Sequence, residues 1–153
     1  MKLAAGFIVL AALVFGTAAV TYSQYDYSAT PQPQPKGGAD LKTELKTAIT
    51  HAGFAGSGDS LNYVRQHVGH ALNCIEGPSG KNFNRGWGNV CQGQGNGILV
   101  DLKSAPNGAS FKRIIESADA LAVAGVASAD VAEAKTISRA VAALLTVISD
   151  NLK

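Results

Sequence analysis

The chain has 153 residues, 46% hydrophobic and 16% charged, with a net charge of +2. Lys and Arg are scattered without a basic run, which argues against nucleic acid as a partner, since phosphate neutralisation needs a concentrated cationic surface. A trap for acidic substrates has no better support, and what remains is one small domain with a core of useful size.

Residues 1–23 open with Met1-Lys2 and then stay apolar or small from Leu3 to Val20. One lysine before an uncharged stretch reads as a secretory signal peptide or an N-terminal membrane anchor. Thr17 and Ala19, or Thr21 and Ser23, offer small residues at cleavage positions. Tyr22, Tyr25 and Tyr27 suit the interface of an anchor that is kept. Both readings put the rest of the chain outside the cytoplasm, periplasmic or extracellular, and the second tethers it to a membrane. Residues 24–39 form a linker: Pro31, Pro33 and Pro35 alternate in an extended spacer, and Gly37-Gly38 is a hinge. The folded domain is expected over residues 40–153.

Its first helix is predicted over Leu41 to Ala52, with Asp40 as N-cap and an inward face of Leu41, Leu45, Ala48, Ile49 and Ala52. His51 lies at the edge of that face. Gly53, Gly56 and Gly58 are expected to break the helix, with Phe54 plugging the end of the core from the turn. The second helix is capped by Asp59 or Ser60 and runs to about Ile75. At about 100° per residue, Val64, Val68, Leu72 and Ile75 form its core stripe. Tyr63, His67, His70 and Cys74 share another face, where Lys, Glu and Gln are the usual occupants. Gly69 costs roughly 1 kcal/mol mid-helix relative to alanine; it lets a backbone or a flat group approach closely, or is simply tolerated.

Residues 76–97 are read as loop, with seven glycines together with Asn82, Asn84, Asn89 and Asn96. The chain has two cysteines, and in an oxidising compartment Cys74 and Cys91 should close a disulfide worth roughly 3 kcal/mol. Phe83 and Trp87 should fold the loop back onto the domain, over the Tyr63/His67/His70 face. Gln92 to Gly97 resembles a phosphate-cradling loop only in its glycines, because no strand precedes it and no Lys-Ser/Thr follows.

Ile98 to Leu102 is a helical turn or a short strand, and Pro106-Asn107-Gly108 is a turn. A third helix is predicted from Ser110 to Ala124, with Phe111, Ile114, Ile115, Ala118, Leu121 and Ala122 inward. A fourth, capped by Ser128, carries Val131, Ala134, Ile137, Val141, Leu144, Leu145, Ile148 and Leu152. The fold class is therefore all-α: an up-down four-helix bundle with one long disulfide-tied Gly/Asn-rich loop between the second and third helices.

The chemistry rests on histidine. His67 and His70 are i, i+3 on one helix, so both imidazoles reach one ion. Copper, zinc or iron wants further ligands. His51 is the third candidate, but a turn centred near Gly56 sets it roughly 9 Å from His67 in height along the helices. Without Cys-x-x-Cys-His, haem would be non-covalent, in a pocket of Tyr63, Phe83 and Trp87 that Gly69 opens. No Ser-His-Asp or Cys-His arrangement and no spaced carboxylate pair points to an enzyme. The sequence reads as an exported domain that binds a transition metal or haem through histidines, in metal handling or redox support. The alternative is a non-catalytic structural or interaction module that presents the loop to a protein partner or to its own copies.

Overall fold

Side-chain caps fix where the first two helices start. Asp40 accepts the Thr43 amide at 3.0 Å, and Ser60 accepts that of Tyr63 at 3.3 Å, each satisfying an amide that a helix start leaves unpaired. The computed structural model describes residues 40–153. The signal or anchor expected over 1–23 and the linker over 24–39 lie outside the described residues.

Among the described residues the chain is all-helical, with α1 Leu41–Ser57, α2 Leu61–Glu76, α3 Ile98–Asp101, α4 Lys112–Ala127 and α5 Val131–Asn151. Short 3-10 turns stand at Arg85–Trp87, Leu102–Ser104 and Gly108–Phe111. α1 packs on α2 and α5, α4 packs on the same two, and α2 touches α5. The predicted core stripe of α2 is buried in full: Val64, Val68, Leu72 and Ile75 meet Leu45 from α1, Ile98 from α3, Ile115 from α4, and Val141, Leu145 and Ile148 from α5 in one cluster. Small residues let the helices approach closely. A Cβ on Gly125 would stand 3.1 Å from Val68 and 3.2 Å from Ile137.

Three boundaries differ from the sequence reading. α1 does not stop at Ala52 but runs to Ser57, with Gly58 as C-cap. Gly53 meets nothing, and Gly56 lies under the Arg139 side chain, which would touch a Cβ at 2.8 Å. Arg139 Nε also donates to the Gly56 carbonyl at 3.1 Å, which satisfies an acceptor at the helix end. Phe54 therefore sits on the helix surface, 44% exposed, and plugs nothing. The last helix starts later than Ser128 suggests: Asp130 is its N-cap, accepting the Glu133 amide at 2.7 Å. Ser128 instead closes α4, and its carbonyl accepts Arg65 Nε at 2.9 Å. The ambiguous segment after Gly97 is helix rather than strand.

Candidate metal centre

The longer α1 changes the position of His51. With the turn centred near Asp59 rather than Gly56, His51 and His67 each stand eight positions from it, one on either helix. The height difference expected from the sequence therefore vanishes. His51 Nδ1 lies 3.0 Å from His67 Nδ1 and 3.1 Å from His70 Nδ1. The three rings form one group, with centroids 4.7–5.3 Å apart. The sequence pair and its weaker third candidate are thus brought together as a set of equals that could hold a metal ion.

The protonation pattern follows from the surroundings. His70 is 8% exposed, and its Nε2 faces the Trp87 carbonyl. A carbonyl can only accept, so Nε2 carries the proton and Nδ1 of the neutral ring presents a lone pair inward. A backbone carbonyl on the remote nitrogen is the usual second partner of a metal-ligating histidine. His51 Nδ1 then faces His70 Nδ1 and His67 Nδ1 at once. With one proton or one lone pair it cannot make a hydrogen bond to both neutral neighbours. A metal ion placed among the three rings would accept their lone pairs. A tetrahedral ion with bonds of about 2.0–2.1 Å holds its nitrogens roughly 3.3 Å apart, close to the two contacts that His51 makes, and the ligand atoms of all three histidines lie within 4.8 Å of one another.

Burial pushes all three histidines below their ordinary value of 6.5. In His51 burial acts first, then His70 and His67, and its value falls to about 4. In His67 burial and then His70 act downward. In His70 burial outweighs the opposing bond to Trp87. At neutral pH the cluster is uncharged, the form that binds metal.

The segment after α2 holds His70 in place. Cys74 and Cys91 form the expected disulfide, with Cα atoms 5.4 Å apart. Trp87 lies against Gly69, where a Cβ would come within 2.2 Å of the indole. The flat group that Gly69 admits is the protein's own. Asn73, fully buried, donates to the carbonyls of Asn84 and Gly88 at 2.8 and 2.7 Å and accepts the Asn84 amide at 2.9 Å. It therefore grips the turn on both sides of Trp87. The sequence reading missed Asn73, whose signal was an amide side chain between Leu72 and Cys74 in a helix interior.

Phe54 and Tyr63 border the cluster. Phe54 lies 5.7 Å from His51 and 5.4 Å from His67, ring to ring, and Tyr63 lies 4.4 Å from His67. Phe83, the other predicted pocket residue, is half-buried and does not join this ring group.

Carboxyl pairs, invisible as sequence spacing, form by tertiary contact. Glu44 is 1% exposed and accepts the Gly97 amide at 3.1 Å, with the Asp101 carboxyl beside it. Burial, then the Asp101 charge and hydrogen bond, raise Glu44 from 4.5 to about 8 against the pull of the Gly97 amide. Asp119 meets Glu76, whose carboxylate binds Asn82. Burial and Glu76 raise Asp119 from 3.8 to about 6. Glu44 Oε2 and Asp119 Oδ1 are buried without a hydrogen-bond partner, the burial that favours a protonated carboxyl in each pair.

The disulfide is consistent with a non-reducing compartment. No helix among the described residues is long and apolar enough to cross a membrane. Comparison with protein-family models, with curated proteins and with solved structures returns no match to this chain.

Proposed function

We propose that this protein binds one transition-metal ion through Nδ1 of His51, His67 and His70 and serves in metal handling outside the cytoplasm, without catalysis of its own. The observation that carries the reading is the convergence of three neutral Nδ1 atoms, two contacts at 3.0 and 3.1 Å, that hydrogen bonding alone cannot satisfy. Imidazole ligands suit copper and zinc. A bare ion fits better than haem: a haem iron takes ligands along one axis, whereas the ligand atoms of three imidazoles lie here within 4.8 Å of one another and Trp87 fills the seat at Gly69. We further infer that α1, α2, α4 and α5 run as an up-down bundle, and that the N-terminal segment delivers or tethers the domain to the outer side of a membrane. The loop reading as a partner surface is weakened because Trp87 is spent on Gly69.

Elemental analysis and titration of the full chain, purified without chelator, test the proposal. One equivalent of copper or zinc per chain is expected. Each of His51→Ala, His67→Ala and His70→Ala should weaken binding by more than about 100-fold, beyond what loss of a supporting partner costs. A protein that takes up neither metal overturns the reading.

A further inference from the structure

We propose that the metal ion held here takes a small carboxylate at its remaining coordination position, seated between Phe54 and Tyr63. The inference rests on the metal reading above and adds the chemical class of the ion's external ligand.

Charge is the first argument. The three ligands are neutral imidazoles, so a divalent ion keeps its full charge. Among the described residues no carboxylate belongs to the cluster, and no carboxylate is among the groups that shift the three histidines. The acids on the same two helices and their turn are remote along the axes. Glu44 is seven positions from His51 and Glu76 six from His70, about 9–10 Å at 1.5 Å per residue, and Asp59 lies in the turn beyond the end of α1, six helical positions of which separate His51 from Ser57. The Glu44 and Glu76 carboxyls are also engaged with Gly97 and Asn82. A dication without a counter-charge among the described residues, in a partly desolvated site, favours an anion over water.

Direction is the second argument. Three nitrogens leave a tetrahedral ion one ligand short. Trp87 and the Cys74–Cys91 segment cover the His70 side. Phe54 and Tyr63 border His51 and His67 instead, and both are exposed, at 44% and 42%. His67, between them, is half-buried. The remaining position therefore faces this aromatic border.

The border gives the third argument. Ring edges carry positive potential that favours a carboxylate head, and ring faces offer apolar contact to its substituent. A carboxylate with an apolar group should bind better than acetate.

The test uses the full chain loaded with Co²⁺, whose visible bands report coordination, titrated with acetate and with benzoate. Both should change the spectrum saturably, benzoate about tenfold more tightly, the value of burying part of one ring. Phe54→Ala and Tyr63→Ala should remove the benzoate preference, weaken the acetate response only slightly and leave Co²⁺ affinity unchanged. If Co²⁺ binds one to one and neither anion alters the bands, the carboxylate proposal fails while the metal reading stands. An undiminished benzoate preference in both variants also overturns it. Failure to bind Co²⁺, zinc or copper removes the metal reading and this one with it.

Discussion

The histidine cluster and the Glu44–Asp101 pair share α1, about two turns apart, and both are covered by the segment between α2 and α3. Burial drives them in opposite directions. It strips protons from three bases, which then present lone pairs to one point. It keeps a proton on Glu44, whose carboxyl would otherwise face a second carboxylate. The same loss of solvent thus prepares one region for a cation and satisfies the other with a proton. Desolvation alone does not choose the partner; the sign of the buried group does.

The pH dependence of stability in the metal-free protein gives the largest test of that contrast. The histidines titrate lower in the fold than in the unfolded chain, so their contribution is full above about 6.5 and is lost as pH falls toward 4. Glu44 and Asp119 titrate higher in the fold. Their contribution is full below the ordinary carboxyl range and is lost as pH rises through about 6 for Asp119 and about 8 for Glu44. Between pH ~4.5 and 6 the two trends oppose each other, and above about 6.5 the Glu44 trend acts alone, so denaturant unfolding should show an alkaline limb that falls by roughly 2 kcal/mol from pH ~6.5 to 8. Glu44→Gln, which supplies a permanent donor, should flatten the alkaline limb. An unchanged limb would show that the two regions do not differ as described.

Asn73→Ala sharpens the comparison from the histidine side. It leaves the Gly88 carbonyl and the Asn84 amide without their partner and takes one of two donors from the Asn84 carbonyl, which keeps the Trp87 amide, at a cost of about 2 kcal/mol. By freeing the Trp87 carbonyl from His70 it should also weaken metal binding roughly tenfold. Chelator competition and unfolding measured on the same sample separate the effects. Loss of stability with undiminished affinity would mean that the Trp87 contact does not orient His70. The smallest effect is expected at Asp119→Asn, which should remove about 1 kcal/mol of pH-dependent change between pH 5 and 7 and leave metal affinity untouched.

Much of this was legible in the sequence, for local reasons. The 3.6-residue period marked the buried face of α2, the i, i+3 spacing marked His67 and His70, and the two cysteines had only each other. His51 was undervalued because glycines were read as breakers. Gly53 faces open space and Gly56 is held beneath Arg139, so the helix runs through both of these apparent stops to Ser57. The carboxyl pairs join residues far apart in sequence, 44 with 101 and 76 with 119, and no periodicity announces them. A charge inside the apolar stripe of Leu41, Leu45 and Ala48 was the one available hint, and Glu44 is that residue.

The two crossing arginines have a consequence for motion. Arg139 of α5 closes the last turn of α1, and Arg65 of α2 closes that of α4. Helix ends ordinarily fray on their own, but here each terminal turn is fastened by a neighbour. The amide hydrogens of residues 54–57 should then exchange with solvent on the slow schedule of the packed helices rather than that of a loose terminus. Phe54 rides on that turn, so the rim beside the histidines behaves as a fixed jamb and not as a swinging gate.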